Sequence, residues 1–244
     1  MLDVITPDWP VAATIKAFST TRNGGCSQRS FTSLNLAHHV GDDFDHVQKN
    51  RMLLHQSLEL PQEPCWLNQT HGVNIVTATT DHTSFLTADA SYTHQPKTIC
   101  AVLTADCLPV LLCDRKATTV AAIHAGWRGL TAGIIEKTIH LLNIPGDNLL
   151  AWLGPAIGPE KFEVGGDVLK KFITSDPHAK TAFKSTTDNH WLADIYLLAK
   201  QRLIKSGVTA IYGGDYCTYS DDQRFFSYRR DRQTGRMASL IWIN

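Results

Sequence analysis

The sequence predicts a single α+β domain in which layered, mixed β-sheets are flanked by helices. Three observations lead there. The 244 residues are 43% hydrophobic and 19% charged, with zero formal net charge, which suits one large globular domain. Apolar runs of strand length arrive in succession as well as alternating with helical patterns, which disfavours a simple doubly wound sheet. No repeat of about 20–50 residues and no low-complexity linker divides the chain, so residues 1–244 read as one unit.

The elements follow in order. Ile15–Thr20 is the first strand-length run. His46–Leu58 carries a helical pattern with Asp45 as its N-cap. Val47, Leu54 and Leu58 fall on one stripe of that helix, and Arg51 shares it. An arginine on an inward face needs a partner, because an unpaired buried charge is costly. Arg51 is therefore either half of a structural ion pair or an anion site facing a cleft. Further strands are expected at Val73–Thr79, Ala88–Thr93, Thr98–Leu103, Leu108–Cys113 and Thr119–Ile123. A helix is expected over Leu130–Leu142, a strand over Leu149–Leu153, and helices over Asp167–Ile173 and Ile195–Lys205. Strands at Val208–Tyr212 and Ser239–Trp242 close the chain.

Composition narrows the function classes. A neutral chain argues against nucleic acid or an anionic membrane recruited by bulk charge, while leaving room for a local basic pocket. The N-terminus "MLDVITPDWP" has no basic or apolar signal-peptide region, and no apolar stretch reaches the roughly 18–20 residues that span a bilayer. A cytoplasmic location is expected. Six cysteines are present without a C-x-x-C, which argues against a zinc ribbon or a thioredoxin-type motif.

Chemistry concentrates in "TADCLPVLLCDRKATTVAAIHAGWRG", from Thr104 to Gly129. Cys107 opens one strand-like run and His124 ends the next. If those strands are neighbours, the thiol and the imidazole converge. His71, in a His-Gly turn of "LNQTHGVNIV", is a third candidate. Two imidazoles and a thiolate suit a catalytic zinc that keeps its fourth position open. Asp106 is placed to orient a ligand. Two alternatives remain open on the residues alone. Buried Cys and His are commonly structural, and Cys107 with His124 equally makes a hydrolytic dyad. Cys113, in the same run, is the expected inert thiol. Arg128, in the Gly-Trp-Arg-Gly turn, is either a phosphate ligand or a surface residue. "FFSYRRD", Phe225–Asp231, is either a substrate wall or a core edge with a solvated ion pair.

The segments "STRNGGCS", "SLNL", "VGDD", "NR", "QTHG", "ADA", "TADCLPVLL", "HAGWRG", "GPAIGP", "FEVGGDV" and "FFSYRRD" occur in that order from about Ser19 onwards. Together they resemble the YfiH family, also called the laccase-domain or multicopper polyphenol oxidase family, and described as purine nucleoside phosphorylases with adenosine deaminase activity. The resemblance implies one domain of layered sheets with outer helices. It implies metal ligation by His71, Cys107 and His124, with zinc the usual metal and copper possible. It implies phosphate or nucleoside binding by Arg51, with Asn35 and Asp89 near the pocket. Purine nucleosides and phosphate would be the partners. The resemblance gives no oligomeric state.

Three activities compete. The chain has 11 histidines and no His-x-His pair, so one copper site would consume the whole constellation and leave no ligands for an oxygen-reducing cluster. That weighs against a polyphenol oxidase. A nucleoside enzyme uses the metal and an anion site together. A cysteine hydrolase or peptidoglycan-precursor editor would use the Cys–His pair.

Overall fold

The computed structural model of the protein describes residues 2–79 and 86–244. In chain order, the first half holds β1 (Val4–Ile5), β2 (Ile15–Thr20), α1 (Phe44–Ser57), β3 (Leu67–Asn68), β4 (Ile75–Thr77), β5 (Leu86–Thr87) and β6 (Ala90–Thr93). The centre holds β7 (Cys100–Thr104), β8 (Leu108–Asp114), β9 (Val120–Ala125), α2 (Trp127–Thr131), α3 (Ile134–Leu142) and β10 (Leu149–Leu153). The last part holds β11 (Glu163–Gly165), α4 (Gly166–Ser175), β12 (Phe183–Ser185), β13 (His190–Ala193), α5 (Ile195–Lys205), β14 (Ala210–Gly213), α6 (Tyr228–Asp231) and β15 (Met237–Ile243).

Two large sheets organise the molecule. One is antiparallel, in the order β1-β2-β15-β7. The other is mixed, in the order β14-β10-β8-β9-β6-β4, with parallel pairs β14/β10 and β6/β4 at its edges. Smaller sheets β11-β13-β12 and β3-β5 accompany them. Strand alternation sends neighbouring residues to opposite cores. On β8, Leu111 and Cys113 enter the core between the large sheets, with Val102, Ala122, Trp152 and Ile241. Leu108, Val110 and Leu112 face the other way, onto Ile135 and Ile139 of α3, Phe172 of α4 and Leu203 of α5. Leu240 and Trp242 of β15 pack outward with Leu54 of α1. The layers are therefore α1, sheet, sheet and helices. Both faces of the central strands are buried, which is why they read as continuous apolar runs rather than alternating ones.

The layered α+β expectation holds, and most element positions agree, with local corrections. The first helix starts earlier than expected. Asp43, not Asp45, is the N-cap, its carboxylate accepting from the amides of Asp45 and His46. The expected helix Leu130–Leu142 is two helices, because Gly133 takes φ +86 and turns the chain between α2 and α3. Strands β1, β3, β5, β11, β12 and β13 are two to four residues long, too short to show a period in sequence. No described helix is long and apolar enough to cross a membrane.

Candidate functional site

β8 and β9 form an antiparallel hairpin in which Pro109 faces His124 and Leu108 faces Ala125. The residue just before β8 and the last residues of β9 thus share one end of the sheet. Cys107 and His124 meet there. On the other side of β9, β6 pairs Ala90 with Ile123 and brings Asp89 beside His124. The His124 amide donates to the Asp89 carbonyl at 2.7 Å, and His124 Nδ1 donates to Asp89 Oδ1 at 2.8 Å.

Asp89 does more than hold one ring. Its Oδ1 also accepts the His71 amide at 2.8 Å, and its Oδ2 accepts the amides of Thr70 and Gly72 and the Thr70 hydroxyl. These bonds fix the 70–72 turn, in which His71 takes φ +60. One fully buried carboxylate therefore sets the position of two imidazoles. The nitrogens of His71 and His124 and the Cys107 Sγ lie within 4.8 Å of one another. The two imidazole rings meet edge to face, with centroids 4.8 Å apart.

The electrostatics separate Cys107 from the other thiols. Burial pushes Cys113 and Cys100 up to about 12 and Cys65 to about 11. Burial also raises Cys107, but the charge and hydrogen bond of His124, with those of His71, outweigh it and hold the thiol at about 6. His124 is lowered by burial but raised more strongly by Cys107 and Asp89, to about 9. Burial raises Asp89, and its bonds from His124 and the 70–72 turn bring it down to about 2. A thiolate and an imidazolium face each other here at neutral pH.

The donor set fits a metal ion. It offers two nitrogens and one sulfur, and the Asp89 bond leaves His124 Nε2 as the ligating nitrogen. Space is reserved as well. A Cβ on Gly126 would stand 3.1 Å from both Cys107 Sγ and His71 Cδ2. Among the described residues this is the only group of three or more His, Cys, Asp or Glu that could hold a metal.

A cleft of about 250 Å³ opens beside His71 and Cys107. Trp127, Phe162 and Tyr228 supply aromatic surface, and Arg128, Arg229 and Arg232 supply charge. The "FFSYRRD" segment divides between the core and the cleft. Phe225 and Phe226 are fully buried, whereas Tyr228 and Arg229 line the cleft. Arg230 turns inward and donates to the carbonyls of Thr218, Tyr219 and Phe225.

Asp106, at φ +88, is a brace for this wall. Its Oδ1 accepts the Thr218 hydroxyl at 2.6 Å, its Oδ2 accepts the Arg229 amide at 2.6 Å, and its carbonyl accepts the Ile157 amide. That conformation, unusual for a residue with a side chain, turns the chain into Cys107.

The other expected binding residues are not on the cleft surface. Arg51 is buried, donates through Nε and Nη2 to the Leu36 carbonyl, and stacks on Trp66 at 4.2 Å. Burial lowers it to about 10, with Glu63 acting the other way. Asn35 is fully buried. Its Oδ1 accepts the amides of Ala37 and Arg236, and its Nδ2 donates to the Ala37 carbonyl and Asp42. Asp89 is equally enclosed, with its oxygens engaged by the 70–72 turn and His124. Sequence reasoning missed Arg232 and the aromatic wall of Trp127 and Phe162. It also missed Arg236, which is lowered by burial and raised by the charges of Cys107 and Asp106. No periodic signal marks these residues, since each sits in a turn or at an element end.

Comparison with known proteins shows the family and the fold. Residues 16–244 match a family model described as multi-copper polyphenol oxidoreductase laccase. The chain is 53% identical to a purine nucleoside phosphorylase of Pseudomonas aeruginosa, with 98% of each chain covered. It is 52% identical to the purine nucleoside phosphorylase YfiH of Escherichia coli K12, with each covered completely. A Neisseria meningitidis protein of known structure superposes with a TM-score of 0.96 at 48% identity, covering 99% of each chain. The Bacillus licheniformis hypothetical protein YfiH superposes at 0.90 with 30% identity, covering 94% of this chain and 93% of that one. With its match reaching from Lys16 to the C-terminus, this chain belongs to the YfiH family of laccase-like multi-copper polyphenol oxidoreductases.

Proposed function

We propose that the protein is a metal-dependent purine nucleoside phosphorylase that splits adenosine, inosine or related nucleosides into base and ribose 1-phosphate, and that it also deaminates adenosine. The observation that carries this is the convergence of His71, Cys107 and His124 beside an aromatic, arginine-lined cleft. The names of close relatives supply the substrate class.

A zinc ion, or copper in its place, held by the three ligands would supply Lewis-acid charge and activate water. The chain's own residues do the rest. Trp127, Phe162 and Tyr228 offer faces on which a purine can stack. Asp89 fixes the His124 tautomer, and so leaves Nε2 as the nitrogen that would hold the metal. In phosphorolysis a phosphate oxygen attacks the ribose C1′ as the bond to the base breaks. The site must then hold an anion beside a developing cation and steady the departing base. In deamination water attacks the purine C6 and ammonia leaves.

The decisive experiment incubates the zinc-loaded protein with adenosine, with and without phosphate, and separates the products. Adenine formed only with phosphate establishes phosphorolysis, and inosine formed without phosphate establishes deamination. An unchanged nucleoside in both arms rejects the reading. The family description favours a second reading, copper-dependent phenol oxidation. It requires phenol turnover that rises with copper occupancy and exceeds nucleoside turnover. A metal-free cysteine hydrolase, the third reading, requires activity that survives chelation.

A further inference from the structure

Arg51, the arginine expected to bind phosphate, is already engaged by the Leu36 carbonyl and the Trp66 ring. The cleft itself is lined by three other guanidinium groups, those of Arg128, Arg229 and Arg232. The one carboxylate on its lining is Asp106, and both of its oxygens are taken by Thr218 and the Arg229 amide. Arg229 gives one N–H to the Glu163 carbonyl at 2.7 Å and stands over Phe162, which fixes its head and leaves the remaining donors. Arg128 lies over Trp127 at 4.4 Å, and Lys171 adds a second cation 5.1 Å from the same ring. Among the described residues neither Arg128 nor Arg232 has an ion-pair partner.

Arg232 carries a second sign. It ends α6 at φ +62 and ψ −71, outside the regions that residues with a Cβ occupy readily. Such strain persists where the surrounding structure enforces it, and it gathers at binding sites. Here it ends the helix and places Arg232 on the cleft lining. Like charges gathered around a small cleft repel one another unless an anion joins them, and a guanidinium fork matches the edge of a phosphate.

We infer that Arg128, Arg229 and Arg232 form the subsite that binds inorganic phosphate as the co-substrate. The inference rests on the phosphorolysis reading above and names where that reaction takes its anion. The cleft volume, about 250 Å³, lies just below the roughly 300–1,000 Å³ usual for small-molecule sites, which suits small ligands rather than a polymer. Deamination, which uses water, makes no demand on this subsite.

The test uses the zinc-loaded full chain, as wild type and as Arg128→Gln, Arg232→Gln and the double variant. Calorimetric titration with inorganic phosphate alone is paired with phosphorolysis kinetics in which phosphate and adenosine are varied separately. Each substitution removes a charge-assisted contact and is expected to raise both the phosphate Kd and the phosphate KM about tenfold or more. The adenosine KM should change less than about threefold, and Arg232→Lys should recover part of the loss. Zinc content and the circular dichroism spectrum should match wild type, since neither side chain is held in an ion pair. An unchanged phosphate Kd in the double variant overturns the inference. So does a raised adenosine KM with an unaltered phosphate KM. Adenosine 5′-phosphate binding more tightly than adenosine and phosphate combined would assign the arginines to a phosphorylated substrate and overturn it too. If the wild type cleaves no nucleoside, the phosphorolysis reading fails, and the phosphate titration still decides the subsite.

Discussion

At the scale of single residues, Asp89 holds the site's two imidazoles in place. It accepts five hydrogen bonds from a fully buried position, one of them from His124 Nδ1. Asp89→Asn replaces an acceptor oxygen by a donor amide that must face other donors. We expect zinc affinity to fall about 10- to 100-fold, read by competition with a chelating dye. Stability should fall by about 3 kcal/mol in denaturant titration, because buried donors lose their partner. The carboxylate's folded pKa, about 2, is below its ordinary value. Its contribution is therefore complete above about pH 4 and is lost as pH falls through about 2.

Cys107 and His124 set a second dependence. Between about pH 6 and 9 the metal-free pair holds one proton, on the imidazole. A metal ligand must be neutral imidazole and thiolate, so zinc uptake at pH 7.5 should release about one proton from His124. Affinity should then rise with pH, roughly tenfold per unit within that window. Calorimetry in buffers of different ionisation enthalpy measures the proton count, and release of no proton would contradict the pair.

At the scale of elements, the turn from β9 into α2 passes close against the ligands. Gly126 has φ −68, which alanine adopts without strain, so the backbone tolerates Gly126→Ala. The added methyl would press on Cys107 Sγ and His71 Cδ2 at 3.1 Å. A displacement of a few tenths of an ångström exceeds the tolerance of zinc coordination, about 0.2 Å. We expect near-native melting and zinc affinity reduced about tenfold. A variant with native zinc affinity would show that the glycine reserves no space.

The first helix makes the opposite case. Arg51 lies on its buried stripe with Val47 and Leu54. Arg51→Ala removes two hydrogen bonds to Leu36 and a stack on Trp66. We expect a loss of about 3 kcal/mol in stability with an unaltered phosphate KM per folded molecule. A raised phosphate KM in stable protein would return the anion site to Arg51.

At the scale of the whole molecule, the site hangs on the packing of two sheets against each other and against outer helices. Leu111 is fully buried between the sheets, with Trp152, Val102 and Ile241. Leu111→Ala leaves a cavity there and should cost about 3 kcal/mol. The ligands sit at the sheet's end, held by strand register and by Asp89, so zinc affinity well below the melting temperature should change less than about threefold. A large loss of zinc would mean that the inter-sheet core sets ligand geometry directly.

The sequence by itself determined which segments are buried and where chemistry collects. Continuous apolar runs such as Leu108–Cys113 declare central strands, because both faces meet a core. Polar groups at the mouths of such runs need a reason to be there, and this singled out Cys107 and His124. His71 came mainly from its place in a familiar motif. Helical period put Arg51 on the inner face, and it is buried, yet period reports burial and not the identity of the partner. Only the tertiary structure showed that its partner is the Leu36 carbonyl, that Asp89 grips both imidazoles, and that Arg128, Arg229 and Arg232 face one cleft. These groups lie in turns and at element ends, which leave no periodic trace. Their convergence follows from strand register and from left-handed residues such as Asp106 and Arg232, long-range and local geometry that no sequence window contains.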